Sequence, residues 1–211
     1  KPNWGSKWQA GDVKYKDLTG EGEVTPGAST LENHGDLKRI GNNSPRYRVG
    51  LNLDAAWKGI DFSIFFQGVL KRDWMFDAGD PYFWGAGSGM WQAACFEEHM
   101  DYWTPENTDA YYPKPYFNET KNQQAQDAYM QKASYLRCKN IQLGYTLPTH
   151  ITEKAGISNC RIYLSCDNLF TITGLSSVYD PEVFGSYDGY GTSGKTYPLQ
   201  RTISVGVNLN F

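Results

Sequence analysis

In the segment Asp17-Leu18-Thr19-Gly20-Glu21-Gly22-Glu23-Val24, oxygen-bearing side chains recur at every second position, and a glycine stands sixth. This is the front half of a calcium loop, in which a hard cation gathers several oxygen ligands around a sharp glycine turn. Asp17, Thr19, Glu21 and Glu23 are the candidate ligands. The twelfth position, where such loops place a bidentate carboxylate, is Ala28. Two readings stand side by side: a calcium site, calcium being the only cofactor the sequence suggests, and a solvated turn between strands.

Little else in the chain carries the residue types of a reaction centre. Glu97, Glu98, His99 and Asp101 form a short acidic cluster with one histidine, and no second histidine lies at metal-ligand spacing, so a charged surface is the expectation. His34, His99 and His150 have no serine and acidic partners in a recognisable nucleophilic arrangement, and no phosphate-binding glycine loop occurs. The sequence therefore predicts a protein that is not an enzyme. A net charge of -3 and the lack of a basic stripe give no case for nucleic acid. Cys138, Cys160 and Cys166 are expected to be free thiols, because Cys160 and Cys166 are too far apart on one strand to bond and Cys138 does not stand directly opposite Cys166, while the state of Cys95, in a long loop, stays open.

Aromatic residues are the other chemically useful group, with 7 Trp and 15 Tyr. Such rings stack on sugars or anchor a protein partner. Trp74, Trp84, Trp91, Trp103 and Tyr179 are the candidates for that contact. Trp84 and Trp91, interleaved with Gly85, Gly87 and Gly89, are expected to be mobile and exposed. The competing expectation is that a segment this long buries its rings against one another.

The elements that position these residues are strands. From Thr202 onward the chain alternates without a fault, with Ile203, Val205, Val207, Leu209 and Phe211 in one phase and Thr202, Ser204, Gly206, Asn208 and Asn210 in the other. Alternate side chains of a strand point to opposite faces, so this strand has one apolar and one polar face. A terminal aromatic such as Phe211 implies that something holds it, and outer-membrane barrels end this way. The same alternation predicts strands over residues 47–57, 60–69, 135–147 and 159–170. Residues 47–69 form a hairpin about Lys58-Gly59. In the third strand Leu136 and Cys138 are out of phase with Ile141, Leu143 and Tyr145, which predicts a bulge near Lys139-Asn140, or an upper half that stands beyond a membrane.

No apolar run reaches the roughly 18 residues of a helical membrane span. A barrel strand needs only every second residue apolar, so the low mean hydropathy of -0.59 is compatible with a membrane barrel. The fold class predicted is all-β, with about five strands at the carboxy-terminal end of a large antiparallel transmembrane barrel. Residues 1–46, 70–134 and 171–196 are expected as long external loops, and the link between the strands of 135–170 as a short periplasmic turn. Arg48, Asn52, Asp54, Asp61, Gln67, Arg161 and Asp167 would then face the lumen. The start at Lys1 reads as a piece of a longer precursor. A surface-exposed or soluble glycan-binding β-sandwich is the alternative, although its strands should be more evenly spaced.

Several ordered segments resemble a known family. They are Gly11-Asp12-Val13-Lys14-Tyr15-Lys16-Asp17-Leu18, Phe65-Phe66-Gln67-Gly68, Asp101-Tyr102-Trp103-Thr104-Pro105-Glu106-Asn107, Asn140-Ile141-Gln142-Leu143-Gly144-Tyr145-Thr146-Leu147-Pro148, Asp167-Asn168-Leu169-Phe170, Tyr179-Asp180-Pro181-Glu182-Val183 and Tyr197-Pro198-Leu199-Gln200-Arg201-Thr202. Together they resemble the carboxy-terminal part of SusC/RagA-type TonB-linked outer-membrane transporters. The resemblance implies a plugged barrel of about 22 strands. It also implies uptake of oligosaccharides or oligopeptides, energy from TonB through an amino-terminal part absent here, and a SusD-like surface lipoprotein as lid. The plug domain is likewise absent from these residues. Outer-membrane lipid and the barrel-assembly machinery are further implied partners, Phe211 being the assembly signal.

Overall fold

The computed structural model describes residues 1–88, 94–117, 119–184 and 196–211. They fall into two compact units: Lys1–Asn42 with Trp74–Met130, and Asn43–Asp73 with Gln131–Phe184 and Tyr197–Phe211.

The second unit is an antiparallel sheet. Its strands are β1 (Arg46–Trp57) and β2 (Ile60–Lys71), then, after a two-residue strand β3 (Asp73–Trp74), β4 (Gln131–Thr146), β5 (Asn159–Asp167), β6 (Thr171–Gly174) and β7 (Thr202–Asn210). Five of them form the path β1-β2-β4-β5-β7, and β6 pairs with the start of β4. The β1–β2 turn places Lys58 and Gly59 at φ 45° and 83°, the two left-handed positions that a tight hairpin turn needs. A side chain at Gly59 would also meet the Thr146 carbonyl at 2.8 Å.

The register explains why the apolar phase matters. Directly opposed residues share a face. One row runs Leu53, Ile64, Ile141, Cys166, Ile203, the next Ala55, Phe62, Leu143, Leu164, Val205, and the third Trp57, Ile60, Tyr145, Ile162, Val207. One face of the sheet is therefore apolar from edge to edge, and among the described residues most of it is uncovered: Val205 is 75% exposed and Leu143 51%, whereas Cys166 is buried. An apolar surface this continuous is not left facing water in an ordinary soluble domain.

The phase break in β4 is a bulge. Phe65 pairs with Asn140 but Phe66 pairs with Cys138, so Lys139 is the extra residue. One inserted residue flips the alternation, which puts Leu136 and Cys138 on the same face as Ile141 and Leu143. The sequence extends the next strand to residue 170, whereas β5 ends at Asp167. Asn168 takes a left-handed φ of 52°, and the chain resumes as β6 beside the upper half of β4. Residues 171–196 are therefore not purely loop. The link between β4 and β5 holds one helical turn, α1 (Thr149–Thr152), and a 3-10 turn, Glu153–Ala155, closed by Gly156 at φ 71°.

The opposite face is polar and interlocked. Arg161 Nε donates to Asp61 Oδ1 at 2.9 Å and its Nη2 to Gln142 Oε1 at 3.1 Å. It reaches across β4 because Gly144 lies between them, where an added methyl would sit 2.5 Å from Asp61 and 2.6 Å from Arg161. The guanidinium also stacks on Tyr163, 4.9 Å from its centroid, and that ring lies over Gly206. A Cβ at Gly206 would be 2.3 Å from the ring. Gly206→Val should therefore displace Tyr163 and cost about 1–3 kcal/mol. A lowered urea midpoint of the intact protein would register that loss, and an unchanged midpoint would contradict the packing.

Candidate functional site

The first unit joins two segments that the sequence presents as separate loops. Val13 N donates to Asn122 Oδ1 at 3.0 Å, Tyr15 Oη to the Lys121 carbonyl at 2.9 Å, and Gln9 Nε2 to Tyr116 Oη at 2.6 Å. Lys121 Nζ lies 3.0 Å from Asp12 Oδ2 with both side chains nearly sealed from solvent, and it sits over the Tyr116 ring at 4.1 Å. Burial opposes the charge of each partner. The bonds Asp12 receives from Asn122, Gln9 and Lys121 still lower its pKa, and Asp12 in turn raises that of Lys121. The Gly11-Asp12-Val13 segment is thus the clasp that holds residues 1–42 on residues 74–130.

An aromatic core fills this unit. Phe76, Phe83, Trp84, Tyr112 and Tyr129 are buried. Phe83 stacks on Phe76 at 4.7 Å and meets Trp84 edge-on at 4.8 Å, and Trp84 meets Tyr129 at 5.0 Å. Burial pushes the Tyr15 hydroxyl up to about 12 and raises Tyr112 and Tyr129 as well. Beside the core is a cavity of about 330 Å³ lined by Trp84, His99, Met100, Tyr102, Tyr112 and Tyr116 among others.

The expected site residues are distributed differently from the sequence reading. Trp84 is not exposed: it is 6% accessible, and its indole donates to the Asp77 carbonyl at 3.0 Å. The glycines around it permit a 3-10 turn (Gly85–Ser88) against the core instead of mobility. Tyr179 is buried too. Trp74 and Trp103 are half-buried, the Trp103 ring lying against Gly11, and Trp91 falls outside the described residues. His99 is a core residue and not part of a charged surface. Its Nδ1 accepts from the Phe96 amide at 3.0 Å and its Nε2 faces the Phe83 carbonyl at 3.2 Å, a pairing that fits a neutral imidazole. Asp101 closes the turn of its own motif through the Asn107 side chain and the Tyr111 amide.

The candidate calcium loop is closed by its own amides. Asp17 accepts from Gly20 N at 2.5 Å and Gly22 N at 2.7 Å. Asp36, which the twelve-residue spacing overlooks, accepts from the amides of Leu18, Thr19 and Thr25 at 2.6, 3.0 and 2.8 Å. Glu21 and Glu23 are exposed, and among the described residues no three His, Cys, Asp or Glu side chains gather in a group that could hold a metal ion. The four proposed ligands are thus not assembled, and the hydrogen-bonded turn is what forms.

In the sheet unit, the bulge at Lys139 organises a second polar cluster that the sequence did not single out. Arg137, 4% accessible at its side chain, lies 2.8 Å from both Asp180 and Glu182, and Lys139 lies 3.1 Å from Glu182. Arg137 Nε also donates to Thr171 Oγ1 at 2.7 Å. Asp180 further accepts from the amides of Glu182 and Leu199. The Tyr179-Asp180-Pro181-Glu182 motif therefore anchors its segment to β4. The signal for it was an acidic motif with two cations, Arg137 and Lys139, on one phase of the facing strand.

No family model matches the chain. It is 29% identical over 208 residues to TonB-dependent receptor P3 of Formosa agariphila, and 26% identical over 209 residues to TonB-dependent receptor P26 of the same organism. Each match covers 95% of this chain but 19% and 20% of the receptor. Solved structures of the RagAB peptide transporter and of the RagAB peptide importer in its open-open state superpose with TM-scores of 0.58 and 0.59 at 28% and 27% identity. They cover 80% of this chain and 18% and 17% of theirs. The chain thus spans about a fifth of the length of the proteins it matches. An open antiparallel sheet with one apolar face and one interlocked polar face is similar, over nearly its whole length, to a fifth of a TonB-dependent receptor. The ordered motifs and the RagAB likeness support the SusC/RagA type of such receptors. These relatives are receptors and importers, not enzymes.

The Asp36 clasp has a defined pH dependence. Amides from Thr25, Thr19 and Leu18 hold its pKa at about 2, below the ordinary 3.8. A depressed carboxylate pKa stabilises above the unfolded value and is lost as pH falls through the folded one. The protection factors of the Leu18, Thr19 and Thr25 amides, exchange rates divided by their intrinsic values at each pH, should hold down to about pH 4 and fall as pH approaches 2. Asp36→Asn should lower them at neutral pH while leaving β4 and β5 protected. Breaking the buried clasp with Lys121→Met should cost about 3 kcal/mol in local opening, read at the Val13 amide.

Proposed function

We propose that this chain is the carboxy-terminal part of the wall of an outer-membrane nutrient importer, together with long segments on its external side. The observation that carries the proposal is the edge-to-edge apolar face on β1, β2, β4, β5 and β7, which fits contact with outer-membrane lipid. Among the described residues no helix is long and apolar enough to cross a membrane, and strands have no need of one. A further support is the likeness to TonB-dependent receptors and to the RagAB importer.

In this reading the barrel closes with strands that lie outside this chain, to about 22 in all. The short links at Lys58-Gly59 and at residues 147–158 lie on the periplasmic side, and residues 1–46, 70–134 and 171–196 lie outside. The polar face with Asp61, Arg161, Asn52 and Asp54 lines the lumen. The imported solute is an oligopeptide or an oligosaccharide, and the likeness to a peptide importer favours the peptide. TonB supplies the energy through parts of the protein outside this chain, a SusD-like lipoprotein closes the mouth, and half-buried Trp74 and Trp103 are the described candidates for contact with solute or lid. Phe211, 86% exposed, is the assembly signal that the barrel-assembly machinery reads.

Inactivating the gene in its native bacterium and measuring depletion of defined oligopeptides and oligosaccharides from the medium tests this reading. Uptake of one class should fall, and uptake in the wild type should vanish when the proton gradient is dissipated. Unchanged uptake of both classes would overturn it. At the level of single residues, Val205→Lys on the apolar face should cost about 2–4 kcal/mol near the bilayer midplane, while Ser204→Lys on the polar face should cost far less. Urea unfolding of the receptor in lipid vesicles distinguishes the two.

A further inference from the structure

The aromatic unit holds a cavity that its described side chains leave open. The space of about 330 Å³ beside the core is walled by Trp84, His99, Tyr102, Tyr112, Pro115 and Tyr116, among others. Its floor and its mouth differ. Trp84, His99 and Tyr112 are buried, whereas Ala86, Cys95 and Met100 in the same wall are exposed, Met100 at 65%. The cavity therefore opens to the surface beside a thioether and ends on aromatic rings.

Most polar atoms of the wall are already committed to the protein. Both His99 nitrogens face backbone groups. Gln123 accepts from the Gly79 amide at 2.7 Å and donates to the Gly87 carbonyl at 2.7 Å. Asn122 is held between the Val13 amide and Asp12, and Tyr116 Oη accepts from Gln9. Of the two charged residues in the wall, Glu119 lies 3.9 Å from Lys121, and Lys114 Nζ lies 5.8 Å from the Tyr116 centroid. What the wall offers an incoming group is therefore mainly carbon: rings, Pro113, Pro115 and the Met100 side chain. A charged or strongly polar group would lose its hydration there and gain few partners in return. A flat apolar ring loses little, and it gains edge-to-face and offset contacts with other rings and a polarisable sulfur.

The same hydrogen bonds fix the wall before any ligand arrives. Gln123 ties down the Gly85–Ser88 turn, and the Trp84 indole is held by the Asp77 carbonyl. Small-molecule pockets run from roughly 300 to 1,000 Å³, so a cavity at the lower end suits one side chain and not a whole solute.

We infer that this cavity binds an aromatic side chain of the imported solute, with Trp84, Tyr112 and Tyr116 as the rings it packs against and Ala86, Cys95 and Met100 as the mouth. The inference rests on the proposed import function, in which residues 70–134 lie on the external side where solute arrives. It narrows the solute to a peptide that carries Phe, Tyr or Trp.

Cys95 supplies the readout, being a free, exposed thiol in the mouth. The intact receptor in lipid nanodiscs is treated with N-ethylmaleimide in the presence of the tripeptide Ala-Phe-Ala or Ala-Ala-Ala, and modification of Cys95 is followed by mass spectrometry. Ala-Phe-Ala should slow the modification severalfold at saturation. Its half-effect should come at a concentration about tenfold or more below that of Ala-Ala-Ala, the scale of burying one large apolar side chain. Ala86→Trp, at an exposed position on the mouth, should raise the half-effect concentration of Ala-Phe-Ala by about tenfold or more. Equal slowing by both peptides would overturn the site. Slowing by neither would overturn it too, and would mean that the protein itself or the lid fills the cavity. Undiminished protection in Ala86→Trp would also count against it. The comparison of the two peptides on the wild-type protein stands even if the variant folds poorly. A receptor that takes up peptides while Cys95 reacts alike with both tripeptides loses this pocket and keeps the import function. Loss of the import reading shows instead in the uptake assay.

Discussion

Strand register is the constraint on which the rest depends. Alternation has a period of two, so a slip of one residue anywhere in the sheet would turn a whole strand inside out. The single extra residue, Lys139, looks like such a slip and acts as its correction. Without it, Leu136 and Cys138 would face the polar side and Arg137 would face the apolar one. With it, the apolar face continues past the bulge, and Arg137 turns inward to meet Asp180 and Glu182. One inserted residue therefore sets both the surface that meets the surroundings and the anchor of the segment after β6.

Glycine placement is the second level of the same design. Gly144 and Gly206 sit on the polar face where a side chain would block Arg161 and Tyr163. Glycine weakens a strand in isolation. Here its missing Cβ lets large polar groups lie along the sheet, so the cost in strand propensity is offset by an ion pair and a stacked ring. A polar face made this way is held in a fixed geometry by its own side chains.

The strands and the two faces were legible in the sequence because alternation survives without tertiary information, and Leu136 and Cys138 even marked the bulge. The break at Asn168 was less visible, since the apolar phase runs on through Phe170 while the backbone turns. The first unit was not legible as a unit. Its clasps, Gln9 to Tyr116 and Val13 to Asn122, join residues 107 and 109 positions apart, and nothing local in either segment announces the other. Trp84 misled for a physical reason: neighbouring glycines signal backbone freedom, but they also permit the close turn that lets an indole enter an aromatic core. Asp36 was missed because the calcium-loop template looks twelve residues ahead, and its partner stands nineteen after Asp17.

The central claim is that one face of the β1-β2-β4-β5-β7 sheet meets lipid and the other does not. Single cysteines placed at positions 202 to 210 of the intact receptor, in a background whose native cysteines are replaced by alanine, can be spin-labelled and reconstituted in lipid vesicles. Collision rates with oxygen, which concentrates in the bilayer, and with a water-soluble nickel chelate then report the surroundings of each position. The account predicts a period of two, with oxygen dominant at 203, 205, 207 and 209 and the chelate gaining at the positions between. Equal access of the chelate to both sets would contradict it, and would mean that the apolar face is covered by protein or water and not by a membrane.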